Sequence, residues 1–279
     1  MNKTYDEIIS VVRGDINNLE SYITGDNFFA EAVLKSLILA PAKRIRSVIA
    51  FLFLRAYGLE ISEKQLNLQC AVELAHTASL IHDDIIDKSE KRRGTYTLNS
   101  IYGDKYAVLA GDFTLTVAFN KIISLNNNSI TEDFLKVFSE MVKGEISQLI
   151  SKGKIPVLDE YMQKTRQKTA GLFAVSLKSA AILAGKTELA AGWRDFGYIF
   201  GTAFQIKNDL KDLDIDIKDG VYTAPVIFSH DAENITREAI EATKNLINQK
   251  LLRLEAFLDN LPQNKFSDAL KELLELYKQ

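Results

Sequence analysis

Proline limits this chain more than any other residue. There are four, Pro41, Pro156, Pro225 and Pro262, spread along 279 residues. A proline inside a helix removes a backbone donor and collides with the preceding turn, so its scarcity leaves long stretches free to be helical. The apolar residues agree. In "TEDFLKVFSEMVKGEISQLI", Phe134, Phe138, Met141, Ile146 and Leu149 fall at helical spacing, and Thr131 with Asp133 predicts where that helix starts. "TREAIEATKNLINQKLLRLEAFLDN" has a second stripe at Ile240, Thr243, Ile247, Leu251, Leu254 and Leu258, and "FSDALKELLELYKQ" a third. Period-two alternation between turn signals is nearly absent, which predicts no sheet. Loops are expected at "ITGDN", "NNNS", "SKGKIP" and "IDIKDGVYTAP". The reading is one all-α domain over residues 1–279, a bundle of about ten or more helices around a central cavity.

Composition excludes some functions. Hydrophobic residues make up 47% and charged residues 25%, an ordinary globular balance that can bury a large core. A net charge of −3 gives no field to attract nucleic acid. The single cysteine, Cys70, excludes an intrachain disulfide and fits a reducing, cytoplasmic setting. The opening "MNKTYDEIIS" lacks the apolar core of a signal peptide. No run approaches ~18 uninterrupted apolar residues, so no membrane span is expected.

Two acidic runs point to chemistry. "SLIHDDIIDKSEKRRG" holds Asp83, Asp84 and Asp87 directly after an apolar run. Asp83 and Asp87, four apart, share one face of a helix, where like charges repel and more so when desolvated. A hard divalent cation offsets that repulsion, because carboxylate oxygens suit such ions. Taken alone, the run is equally a solvated helix end leading into a charged loop. The second run, "FQIKNDLKDLDID", repeats the pattern with Asn208, Asp209 and Asp212. Two such runs on long helices suggest Mg2+, which keeps waters and binds substrate phosphates beside one or two carboxylates. Clusters of bases then read as a phosphate clamp: Lys43, Arg44 and Arg46 in "PAKRIRS", Arg92 and Arg93 in "EKRRG", and Lys168 in "RQKTAG".

Together these segments resemble the trans-isoprenyl diphosphate synthases (polyprenyl synthetases) over nearly the whole chain. "ELAHTASLIHDDIID" with "RRG", "YGDKYAVLAGDFTL", "GEISQL", "KTAGLFAVSLKSAAILAG", "FGTAFQIKNDLKD" and "TAPVIF" match that family's successive motifs. The resemblance implies the isoprenoid-synthase helical fold, a homodimer, and condensation of isopentenyl diphosphate with an allylic diphosphate. It implies that Asp83 and Asp87, supported by Asp84, hold two Mg2+ ions, and that Asp209, with Asp212 beside it, holds a third. It gives Arg92 and Lys168 to the allylic diphosphate, and Lys43, Arg46, His76 and Arg93 to that of isopentenyl diphosphate. Thr169 and Gln205 would lie beside the developing allylic cation. His82 would only orient a neighbouring carboxylate, and His230 reads as surface.

The chain departs from the family in places. "PAKRIRS" lacks the usual flanking glycines and proline, Asn208 stands where an aspartate is usual, and the segment after Asp212 is short. Val221 stands where a lysine is often found, with Lys218 nearby as a substitute. Before the first motif, Ala78 and Ser79, five and four residues ahead of Asp83, stand where farnesyl-making members place an aromatic plug, with Leu74 and Ala75 and then Ala71 further down; a small residue at the plug predicts a product longer than farnesyl diphosphate. Phe113 or Phe119 closing the tunnel is the competing expectation. Two other functions compete. A terpene cyclase shares the fold and would use Asn208, Asp212 and Asp216, but it has no use for the Lys43, Arg46, His76 and Arg93 set. A non-catalytic subunit of a hetero-oligomeric synthase fits the altered second motif but not the intact first one.

Overall fold

The computed structural model describes residues 4–25 and 42–278; Pro41, and Asp26 and Asn27 of the expected "ITGDN" loop, lie outside the described residues. The helices are α1 (Tyr5–Ile9), α2 (Arg13–Gly25), α3 (Ile45–Ala56), α4 (Glu63–Ile86), α5 (Leu98–Tyr102), α6 (Asp104–Ile123), α7 (Asn128–Ile150), α8 (Leu158–Thr165), α9 (Gly171–Leu183), α10 (Ala190–Lys211), α11 (Leu213–Lys218), α12 (Ala224–Ser229), α13 (Arg237–Leu258) and α14 (Lys265–Tyr277). The all-α expectation holds, with one small exception: Lys91–Arg92 (β1) pairs antiparallel with Thr95–Tyr96 (β2). Arg93 and Gly94 between them have φ of 52° and 82°. Two successive left-handed residues make the tight turn that joins two strands without splaying them. The "RRG" motif therefore folds as a hairpin tip.

The described residues cluster into two compact units, one of residues 12–25, 42–51 and 60–131, the other of residues 4–11, 52–59 and 132–278. In the first, α4 packs on α6 through small residues. Ala71, Ala75 and Ala78 are buried on α4, and Ala107, Ala110, Gly111, Thr114 and Ala118 on α6. Ser62 caps α4 by accepting the Gln65 N–H. Helix α6 is long and apolar enough to cross a membrane, with a mean hydropathy of 1.2, and 39% of that window is buried within the chain.

In the second unit the aromatic residues of α10 recur at helical spacing. Trp193, Phe196 and Phe200 are fully buried, and Phe53 meets Trp193 and Phe196 at ring-centroid distances of 4.9 and 4.8 Å. Burial of each such ring contributes about 1.5–3 kcal/mol. The α13 stripe is buried as expected at Thr243, Ile247, Leu251, Leu254 and Leu258. The α7 stripe is corrected: Phe134 and Met141 are buried, but Ile146 and Leu149 are exposed. Helix α7 also starts at Asn128, ahead of Thr131, because the Asn127 side chain accepts the Ile130 N–H. The expected "IDIKDGVYTAP" loop is half helix: α11 runs to Lys218, and only 219–223 are irregular. The expected loop at "SKGKIP" is present, tied by the Gly153 N–H to the Gly220 carbonyl at 2.8 Å.

Two glycines position the second acidic run. A Cβ on Gly197 would lie 2.6 Å from the Ala174 Cα, and one on Gly201 2.7 Å from the Ala170 Cα. Backbone this close to backbone lets α10 approach the start of α9 so that side chains one turn beyond Gly201 meet.

Candidate active site

In the first unit the acids end α4. Asp87 is its C-cap, and the Asp87 N–H bonds the Asp83 carbonyl at 2.8 Å, so Asp83 and Asp87 are one closed turn apart. Asp84 points elsewhere. It is 3% exposed, and its Oδ1 accepts from both Nε and Nη2 of Arg92 at 2.7 Å. Burial pushes the Asp84 carboxyl up, and the Arg92 guanidinium works against that. Arg92, which the resemblance gave to the allylic diphosphate, is thus also the partner of a buried acid. The β-hairpin that carries Arg92 exists to bring it back onto α4.

The bases form a cluster around His76. Burial first, then the fields of Arg46, Arg93, Arg92 and Arg44, hold the His76 imidazolium well below its usual pKa, so the ring is neutral at pH 7. Arg46 is 7% exposed, and burial lowers its pKa to about 10, with Glu73 countering and Arg93 adding to the shift. Arg93 is lowered by burial and by Arg92 and Arg44. Cations that depress one another make a positive field that an anion relieves. The buried carboxylate among them is Glu73, which accepts from the Ser47 hydroxyl at 2.7 Å and lies 3.5 Å from Arg44 Nη1. Arg44, read with Lys43 and Arg46 as part of the phosphate clamp, does join the cluster. Glu73 was not read as a site residue, although it is one helical turn before His76. Lys43 is exposed beside this cluster in sequence.

In the second unit, hydrogen bonds link the remaining residues. The Thr169 hydroxyl donates to Gln205 Oε1 at 2.7 Å, and Gln205 Nε2 donates to Asp209 Oδ1 at 2.6 Å. The Tyr161 hydroxyl donates to Asp209 Oδ2 at 2.6 Å. Asp209 is 8% exposed; burial pushes its carboxyl up against these two donors, Lys164 and Lys168. Burial first, and then Asp209, raises Tyr161 well above 10, so it keeps its proton and remains a donor. Thr169 and Lys168 lie in a π-helical turn, Arg166–Ala170, closed by the Gly171 N–H on the Arg166 carbonyl. Such turns concentrate at functional sites because the extra residue re-aims side chains. Lys168 is paired with Glu145 of α7.

Asp212 is exposed and caps α10. Asp216 on α11 is raised to about 7, by burial and then by Asp209 and Asp212. A carboxyl held up by two neighbouring acids is a place for a cation, and carboxylate oxygens suit hard divalent ions. Among the described residues no three such groups converge on one point. A cavity of about 470 Å3 borders this cluster, lined among others by Tyr161, Lys164, Val221 and Tyr222. Lys164 lines this cavity together with Lys143, Lys152 and Lys154; it is half-buried, 5.6 Å from the Tyr161 ring centroid, and its pKa is lowered by burial but raised by Asp209 and Asp216. Neither Tyr161 nor Lys164 was legible as a site residue, because nothing local to "YMQK" announces a partner 48 residues on.

The family profile of the polyprenyl synthetases matches residues 29–254, and the chain belongs to that family. It is 34% identical over 257 residues to solanesyl-diphosphate synthase 2 of Oryza sativa subsp. japonica, a match covering 84% of this chain and 64% of the relative. It is 34% identical to the decaprenyl-diphosphate synthase of Dictyostelium discoideum, covering 82% of this chain and 58% of that one. The chain therefore spans somewhat less than two thirds of these relatives' length. The crystal structure of a Caulobacter crescentus polyprenyl synthase complexed with calcium and isoprenyl diphosphate superposes with a TM-score of 0.89 at 26% identity, covering 99% of this chain and 98% of that one.

Proposed function

We propose that the protein is an Mg2+-dependent prenyltransferase that joins isopentenyl diphosphate to an allylic diphosphate and extends the product, all-trans, beyond farnesyl. The observation that supports this most is the cluster of Arg44, Arg46, Arg92 and Arg93 around a neutral His76. It offers an anion site in addition to the acidic runs, and two diphosphate substrates need both. Relatives named for solanesyl and decaprenyl products support the long chain, and calcium with isoprenyl diphosphate in the Caulobacter structure supports a divalent cation.

Asp83 and Asp87 would hold Mg2+ on α4, and Asp209 with Asp212 would hold it on α10. When bound, Mg2+ would neutralise the charge that develops on the leaving diphosphate. Arg92 in the first unit and Lys168 in the second would each offer a cation to a diphosphate, and Lys164 would supply a cation where Val221 has none. Thr169 and Gln205 present oxygen dipoles that stabilise an allylic cation without capturing it. Small buried Ala71, Ala75 and Ala78 leave the α4 face without a bulky stop, while Phe113 is 44% exposed.

A homodimer and a cytoplasmic setting belong to the same proposal. Ile101 and Tyr102 on α5 and Leu109 and Phe113 on α6 are exposed apolar residues that a second copy would cover.

The test is to incubate the protein with Mg2+, isopentenyl diphosphate and, separately, dimethylallyl, geranyl or farnesyl diphosphate, and to read products by mass spectrometry. A ladder beyond farnesyl, abolished in Asp83→Ala and shortened in Ala78→Phe, is expected. Products ending at farnesyl would overturn the chain length. A cyclic hydrocarbon formed without isopentenyl diphosphate would make it a cyclase, and no product at all would point to a non-catalytic subunit.

A further inference from the structure

We propose that His82 and Gly111 form a positioning lock that holds the acid-bearing end of α4 in register with α6, and that this lock sets how well Asp83 and Asp87 hold a divalent cation. The proposal rests on the metal-binding reading above. Gly111 lies inside α6 with ordinary helical geometry. There glycine is about 1 kcal/mol worse than alanine, so the backbone gives no reason for it. The imidazole does. A Cβ on Gly111 would lie 2.3 Å from His82 Nε2, 2.6 Å from Cδ2 and 3.0 Å from Cε1. The ring fills the space where residue 111 would have a side chain. Its Nε2 also lies 3.4 Å from Asp112 Oδ1, the next residue of α6.

His82 immediately precedes Asp83, and the Asp83–Asp87 turn is closed by a backbone hydrogen bond. The imidazole seated against Gly111 therefore belongs to the residue that leads into the ligand turn. Beyond that turn, Arg92 holds the Asp84 carboxylate, and Asn99 Nδ2 donates to the Asp84 and Ser89 carbonyls at 3.4 and 3.2 Å. The turn is gripped from both directions, and His82 is the grip on α6. Its role is positional: it needs no contact with substrate.

The experiment uses the full chain and Mn2+ as the probe, in the presence of inorganic diphosphate. Water-proton relaxation reports Mn2+ held on the slowly tumbling protein. Gly111→Ala should weaken Mn2+ about tenfold, at the low end of outer-shell changes at metal sites, and His82→Ala should weaken it by less. The double variant should bind no worse than His82→Ala alone, because without the imidazole the methyl group has room. The Mg2+ half-saturation of condensation should move in parallel. Unchanged Mn2+ binding in Gly111→Ala, or a double variant that loses the product of both single effects, would overturn the lock. Should Gly111→Ala fail to fold, His82→Ala alone decides, and wild-type affinity there overturns it. A wild-type protein that binds no Mn2+ would overturn the metal reading and the lock together.

Discussion

The two acidic runs look alike in sequence and are held in opposite ways. In the first unit the buried acid, Asp84, is answered by a guanidinium, so the charge is cancelled inside the protein. In the second, buried Asp209 accepts hydrogen bonds from a phenol and an amide, neutral groups, while Lys164 and Lys168 act on it through their charge. Cancelling a buried charge favours a stable fold, because an unpaired one is costly. Leaving it in place favours a cation that arrives later. On the proposed reading, the first unit keeps Asp83 and Asp87 for an ion and uses Asp84 as structure, whereas the second offers its buried Asp209 to that role.

The sharpest way to break this comparison is Asp209→Ala. Condensation should fall by about a hundredfold or more, as when a main electrostatic contact in a transition state is lost, while urea midpoints stay close to wild type or rise. A large loss of stability without loss of turnover would reverse the assignment. Next comes Tyr161→Phe, which removes one neutral donor from Asp209. The Mg2+ half-saturation of turnover should rise about tenfold with kcat changed less. Arg92→Ala tests the other side. It leaves Asp84 buried without its partner and should destabilise by about 1–3 kcal/mol in urea unfolding, in addition to any effect on the allylic substrate.

The smallest effect concerns pH. Asp216 has a folded pKa of about 7, above its unfolded value of 3.8. Between those values the folded state holds a proton that the unfolded state has released. Stability of the metal-free protein therefore falls as pH rises from about 4 to 7 and stays lowered above that. Asp216→Asn should stabilise the metal-free protein at pH 8 by about 1–2 kcal/mol, discounted for solvent contact, and by almost nothing at pH 4. Added Mg2+ at pH 8 should narrow the difference. Equal stabilisation at both pH values would show that the acids at 209, 212 and 216 do not share a field.

Much of the site was legible before any coordinates. Asp83 and Asp87 are one turn apart because helices repeat that way, and "HDDIID" inside an apolar run is enough to say so. Arg46, His76 and Arg93 were named and do gather. Thr169 and Gln205 were named and do touch. The boundaries that failed, at Thr131 and in "IDIKDGVYTAP", failed where a side-chain cap or a short helical turn decided the outcome.

What the sequence alone determined was helix identity, the buried stripes and the kinds of charge present, because these follow from spacing within about one or two turns. What only the tertiary structure decided was which charge meets which. Arg92 reaches Asp84 through a hairpin, Tyr161 reaches Asp209 across two helices, and the "KT" pair sits in a π-helical turn. Each depends on side chains from separate segments sharing a few ångströms of low-dielectric space, and in that space a partner, more than a residue's own chemistry, sets whether an acid serves the fold or the ion.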